Sequence, residues 1–176
     1  MPKNVAEKTM TEISTDFKEE FLRTWEREYQ TTLKLLKAYP ENKLDLRPHD
    51  KLRTAGELIW EFTNGEAWMI NGCLTGRFDV GNSMEPPSTK KEIIDNFEKV
   101  HSDSIAKIRR MSESDLNKQV KFFVAPKQMG EVKCWDLLTM MVMDQVHHRG
   151  QLTIYTRIAG GVVPSIYGPT FEEPWM

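Results

Sequence analysis

The chain has little cysteine: Cys73 and Cys134 are its only two in 176 residues. That is too few for a disulfide framework, and both are expected to be reduced, buried thiols. It also lacks a surplus of positive charge. Lys and Arg number 24 against 26 Asp and Glu, for a net charge of −2 and a pI of about 6.1. With no basic reserve to neutralise phosphates, nucleic acid is not an expected partner. No apolar run approaches the ~18 residues a membrane span requires. Residues 1–15 carry charges and no apolar core, so no secretory signal is expected and the cytoplasm is the default compartment. Missing, too, are a Gly-rich phosphate loop, a C-x-x-C pair, H-E-x-x-H and G-x-S-x-G. No organic cofactor is expected.

What remains is an ordinary globular balance, 39% hydrophobic and 28% charged, enough for one domain with a real core. Residues 1–15 read as a flexible lead and 16–176 as the domain. Four segments have helical periodicity. The first spans about 16–39: Asp16 with Glu19 resembles a capping box, Phe21, Trp25, Tyr29, Thr32, Leu36 and Tyr39 share a face, and Pro40 ends it. The second starts at the Thr54–Glu57 capping box, carries Leu58, Glu61, Phe62, Gly65, Trp68 and Met69 on one face, and ends at Gly72 and Gly76. A loop with Gly81, Asn82, Pro86 and Pro87 follows. The third begins near Thr89 and Glu92, with Ile93, Phe97, Val100, Ser104, Ile108 and Met111 as its stripe and His101 beside it. From 112 to 132 the helical period fails; Val120, Phe122, Phe123 and Val124 suggest an extended stretch, with a small hairpin to 131–133. The fourth helix covers about 134–159, with Leu137, Met141, Asp144, His148, Leu152 and Tyr155 inward and Gly160 at its C′ position. The methionines at 140, 141 and 143 read as core packing. Residues 162–176 are too apolar for a free linker and should pack along the helices. The pattern predicts an all-α, antiparallel four-helix bundle with long connectors and a packed C-terminal tail.

Chemistry is signalled by polar groups on inward faces. Asp144 and His148 are four apart and project from one side of the last helix. Glu61 sits among Leu58, Phe62 and Gly65. A carboxylate buried in an apolar stripe is costly unless it is paired or binds a metal. A cation shared by Glu61, Asp144 and His148 is one remedy, and the set suits a divalent metal in a bundle core. The alternatives are an Asp144–His148 hydrogen bond, and a Glu61 that pairs with Arg149 or Arg157 or faces solvent at a helix-packing gap. His147 points about 100° from His148 and reads as a surface or interface residue. His101 reads as a satisfied core residue or an extra ligand. Gly65 and Gly150, inside helices, fit close helix approach, as at a dimer seam, or frayed ends.

His147-His148-Arg149-Gly150-Gln151-Leu152, then Tyr155, Arg157 and Gly160, then Val163-Pro164-Ser165-Ile166-Tyr167-Gly168-Pro169, resemble the C-terminal signature of the DinB/YfiT-like family. Arg53-Thr54-Ala55-Gly56-Glu57-Leu58 resemble its second-helix entry, and Leu46-Arg47-Pro48 also match. The resemblance runs from about residue 17 to 174. It implies an up-down-down-up bundle, commonly a homodimer, holding a metal with three histidines, one from the second helix and two from the fourth, four apart. The corresponding positions are Glu61, Asp144 and His148, so only His148 keeps the ligand type. Two carboxylates with one imidazole shift the preference toward a harder ion, Mn²⁺, Fe²⁺ or Mg²⁺, over Zn²⁺ or Ni²⁺.

Two functions are consistent with this. One is a metal-dependent enzyme. For it the resemblance implies transfer to a low-molecular-weight thiol such as bacillithiol, or metal-assisted hydrolysis of a small molecule. The other is a non-catalytic, stress-related dimeric binding protein that kept the bundle and lost the metal site.

Overall fold

The computed structural model describes residues 3–78 and 85–176, with side chains from residue 17 onward. The helices are α1 (Lys3–Ala38), α2 (Ala55–Thr75), α3 (Lys90–Arg110), the short α4 (Glu113–Asn117) and α5 (Cys134–Ile158); β1 (Gln119–Ala125) and β2 (Gln128–Lys133) lie between α4 and α5. α1 continues through Asp16 back to Lys3, so that residue does not start the helix as its spacing to Glu19 suggests. The loop expected at Gly81 and Asn82 lies outside the described residues.

Local chemistry sets the remaining ends. Thr54 and Glu57 satisfy each other's backbone N–H groups in a full capping box, worth about 1 kcal/mol. Thr89 accepts from the Glu92 N–H at the start of α3. Ser112 and Asp115 form a second full box that starts α4, a helix too short to leave a periodic trace. Gly76, with φ of 73°, closes α2 in the left-handed region that glycine enters without strain. Gly72 does not end the helix: its missing side chain leaves room for the Phe78 ring against α2. That ring then packs on Trp68 and Phe122, with centroids 5.1 and 4.8 Å away.

Two core clusters give the direction of each helix. One joins Leu36 and Tyr39 at the end of α1 to Leu58 and Ile59 early in α2, Ile93 at the start of α3, and Leu152 and Tyr155 late in α5. The other joins Leu22 and Trp25 to Met69 and Ile70 late in α2, Ile108 at the end of α3, and Leu137 early in α5. So α1 and α5 run one way and α2 and α3 the other, the up-down-down-up order. α1 packs on α3 and α5, and α2 packs on the same two.

The extended stretch is a two-stranded antiparallel hairpin, turned at Lys127 with φ of 61°. It buries Val120 and Phe122 against the bundle and leaves Phe123 and Val124 exposed. The tail packs as expected: Val163 is buried, Arg157 holds Glu172, and Lys34 holds Glu173. Met141 is core, whereas Met140 and Met143 are exposed, correcting the expectation for that run. α5 is apolar beyond its core stripe, and two of its three methionines lie outside it. Cys73 and Cys134 are free and buried.

Candidate functional site

Between α2, α5 and the hairpin lies a cavity of about 250 Å³. α2 contributes Glu61, Phe62, Gly65, Glu66, Trp68 and Met69; the hairpin adds Phe122; α5 adds Met140, Met141, Asp144, Gln145 and His148. All three residues singled out from the sequence therefore line one cavity. Glu61 also borders a second, more polar depression that includes Arg47, Arg53 and Asn64.

Their individual settings differ from the expectation. Asp144 is not on the inward face: its side chain is 61% exposed, at the cavity rim. One residue on, Gln145 and Arg149 point into the bundle instead. Asp144 Oδ2 lies 3.2 Å from His148 Nδ1, and the hydrogen bond from His148 holds the Asp144 carboxyl below the usual carboxylate range. This contact leaves the Nε2 of a partly buried imidazole unused by Asp144, as when a carboxylate orients a metal-binding histidine. Glu61 pairs with Arg53 at 3.4 Å, not with Arg149 or Arg157, which bind Glu28 and Glu172. Arg53 is half exposed, and a surface pair of that kind is worth about 0–1 kcal/mol. Glu61 is therefore easily released. Gly65 keeps the space above Glu61 open, since the nearest atom to an added Cβ is Glu61 Oε1 at 3.7 Å.

By type and shared location the three residues fit a divalent cation. As placed, each has another partner, and among the described residues no three of His, Cys, Asp and Glu stand in a metal-holding group.

Sequence reasoning missed the deepest acid. Glu66 is 0% exposed and lines the cavity. Gln145 Nε2 donates to its Oε2 at 3.1 Å. Behind it stands His101, which the structure places in the middle of the α3 stripe with its ring against Tyr29 and Trp25, not at the cavity. The Thr54–Glu57 cap fixes the phase of α2, and a glutamate one position past Gly65 falls on its buried side. The usual exposure of glutamate hides that signal.

Arg149 and Tyr167, both in the C-terminal signature, do not touch this cavity. They meet Glu28 of α1, where Arg149 and Glu28 are buried and the exposed Tyr167 covers them. Tyr155 donates to the Arg53 carbonyl at 2.9 Å, tying α5 to the residue that holds Glu61. His147 and Gln151 bond each other on the exposed side of α5. Among the described residues no helix is long and apolar enough to cross a membrane.

Comparison with known proteins agrees with this architecture. The family model described as "DinB family" matches residues 7–175. The uncharacterized protein YrdA of Bacillus subtilis is 26% identical over 159 residues, covering 87% of this chain and 89% of its own. The crystal structure of a DinB-like protein from Bacillus cereus superposes with a TM-score of 0.72 at 25% identity, over 85% of this chain and 97% of that one. The DinB-like protein YjoA of Bacillus subtilis shares the fold at 14% identity, with a TM-score of 0.66 over 88% and 99%. A match across almost the whole length, with the up-down-down-up bundle beneath it, places this chain in the DinB family.

Proposed function

We propose that this DinB-family chain is a metal-dependent enzyme that holds a divalent cation with Glu61, Asp144 and His148 and a small substrate in the cavity below them. One observation carries the reading: these three side chains, from two helices, line a single cavity whose remaining wall is largely aromatic and apolar. When bound, such an ion acidifies a water or a thiol. The chain's own residues do the rest. Asp144 orients the His148 ring, Glu61 moves from Arg53 to the cavity side, and Phe62, Trp68 and Phe122 exclude water from the substrate.

Of the two reaction classes, hydrolysis is favoured over thiol transfer. Among the described residues Glu61, Glu66 and Asp144 line the cavity and no Lys or Arg does, so an anionic thiol co-substrate meets like charge. The chain's own thiols are no substitute, because burial pushes both Cys73 and Cys134 up and keeps them protonated.

Protein purified without a nickel column and supplied with Mn²⁺, Fe²⁺ or Zn²⁺ is expected to retain one ion per chain by elemental mass spectrometry. Glu61→Ala and Asp144→Ala should each weaken binding by at least the roughly 10–100-fold lost when a ligand's supporting partner is removed. Metal far below stoichiometry in the supplied protein defeats the reading.

A second reading, the non-catalytic, stress-related binding protein, is favoured by a separate observation. The Asp144–His148 and Glu61–Arg53 pairs are each satisfied without a cation. It expects a melting temperature that chelator does not change, and Glu61→Gln and Asp144→Asn variants as stable as the parent.

In either case the proposal includes a homodimer, supported by the exposed Met143, Ile154 and Ile158 on the outer side of α5. Sedimentation analysis should give twice the chain mass, and Ile154→Lys should return it to the monomer. A parent protein that sediments as a monomer at high micromolar concentration removes the dimer.

A further inference from the structure

A row of titratable groups runs from the cavity to the opposite surface of the bundle. It starts at Glu66, whose two carboxylate oxygens lie 3.3 and 3.4 Å from His101 Nδ1. His101 is 3% exposed, and its other nitrogen, Nε2, lies 3.2 Å from Glu26 Oε2. The Glu26 side chain is 48% exposed, so the row ends in water beside α1. Carboxylate, imidazole and carboxylate thus connect three helices, α2, α3 and α1, in one line.

Several features suit this line to moving a proton. Imidazole takes a proton on one nitrogen while it gives one from the other. The ring cannot turn away. It stacks on Tyr29 with centroids 3.7 Å apart and planes 4° from parallel, and Trp25 meets its edge at 4.9 Å. Burial, then the charges of Glu98, Glu26 and Glu66, push the Tyr29 phenol up to about 12, so it stays neutral and does not compete. Glu66 Oε1 is buried and faces His101 Nδ1 at 3.3 Å without an aligned hydrogen bond. A purely structural partner for Glu66 needs only the Nδ1 contact. Glu26 at Nε2 adds a path to solvent.

We infer that His101 exchanges a proton with solvent through Glu26 in response to charge in the cavity, and that Glu66 holds the Nδ1 side of the ring. The direction of transfer rests on the reading that the cavity takes a cation. A buried carboxylate needs one positive partner, and two crowd it. Before a cation binds, His101 carries a proton on each ring nitrogen, that on Nδ1 toward Glu66 and that on Nε2 toward Glu26. When the cation arrives, the Nε2 proton passes to Glu26 Oε2 and on to water. His101 is left neutral, with its Nδ1 proton toward the Glu66 carboxylate. When the cation leaves, a proton returns by the same route and the ring regains its starting form. Only N–H and O–H bonds change, and no electron donor or acceptor is needed.

The test uses the full chain with ¹⁵N-labelled histidine, and the four imidazoles are followed by NMR. The lifetime of the His101 ring protons against exchange with water should lengthen several-fold in Glu26→Gln, with the other three histidines unaffected. An unchanged lifetime overturns the route. Zn²⁺ alone is then added. A shift at His148 with release of about one proton per ion, measured by calorimetry in two buffers, and a smaller release in Glu26→Gln, is the expected result. A shift at His148 with His101 unmoved and equal release in both proteins overturns the route and leaves the metal reading standing. No response at His148 overturns the metal reading, and the exchange lifetimes then decide the route by themselves.

Discussion

Replacing Arg149 with leucine is expected to destabilise the protein by about 3–5 kcal/mol, the cost of leaving one member of a buried ion pair alone. Arg149 is 1% exposed. Its guanidinium donates to Glu28 Oε2 at 2.6 Å, to the Glu28 carbonyl at 3.0 Å and to Thr32 Oγ1 at 3.1 Å. Tyr167 closes the cluster from the tail, donating to the same Glu28 oxygen at 2.5 Å with its ring 5.0 Å from the guanidinium carbon. Leucine fills part of the volume but removes the buried cation, leaving the Glu28 carboxylate with only the Tyr167 hydroxyl and the more distant, exposed Arg27 at 3.9 Å. For a chain of this size each kcal/mol moves Tm by roughly 2–4 °C, so a fall of roughly 6–20 °C is expected by calorimetry. Arg149→Met with Glu28→Gln should recover much of it, because no charge is then stranded. A loss of less than about 1 kcal/mol contradicts the argument.

The pH dependence has a definite sign. Burial alone raises the Glu28 carboxyl, but hydrogen bonds from Tyr167 and Arg149, with the charges of Arg149 and Arg27, outweigh it and set the group below its ordinary 4.5. A depressed carboxyl contributes stability above its unfolded value and loses it as pH falls through the folded one. In Arg149→Leu the burial remains and the guanidinium does not, so Glu28 is more readily protonated. The gap between variant and parent should therefore be widest near neutrality and narrow as pH falls below about 4.5. A gap that stays constant into acid assigns the loss to packing, not to the pair.

This cluster also marks where the sequence was readable and where it was not. Thr54–Glu57, Thr89–Glu92, the α1 stripe from Trp25 to Tyr39 and Gly160 after α5 lie where capping and periodicity put them, because each rests on local chemistry within a turn or two. The hairpin was visible from Val120 and Phe122 ahead of Pro126. The phase of α5 was not. Met143, Ile154 and Ile158 are exposed, so the helix is apolar on more than its core side, and the period leaves its inner line uncertain by one residue. The period puts Asp144 inward where Gln145 belongs, and offers Arg149 to Glu61 when it binds Glu28. Glu28 and Glu66 escaped for a different reason. Their partners, Arg149 and His101, stand 121 and 35 residues away, and a charge satisfied across such a distance looks like any surface charge in one dimension. Only the cavity, which depends on how α2 and α5 pack, brings Glu61, Asp144 and His148 to one place.

The second large effect belongs to His101. His101→Leu is expected to cost about 3–5 kcal/mol, because it leaves the fully buried Glu66 carboxylate with no cationic partner. Gln145 then remains on Oε2, and Oε1 has no aligned donor. Loss of the parallel stack on Tyr29 adds up to about 0.5–1.5 kcal/mol. Removing the other members should behave differently, which separates charge from shape. Glu66→Met takes away the stranded charge itself and leaves an imidazole that can be neutral against Glu26; it should be near neutral or slightly stabilising. Glu26→Gln alters a half-exposed contact and should cost less than about 1 kcal/mol. The double variant His101→Leu/Glu66→Met should then be more stable than His101→Leu alone, with a coupling of about 0.5–3 kcal/mol in a urea-denaturation cycle. Additive losses contradict this account, for they make His101 an ordinary packing residue whose charge Glu66 does not need. A strong coupling, with Glu26→Gln nearly silent in stability, locates the energetic demand at the buried end of the row and leaves Glu26 no structural reason for its place at Nε2. Its effect on proton exchange is then separable from any effect on folding.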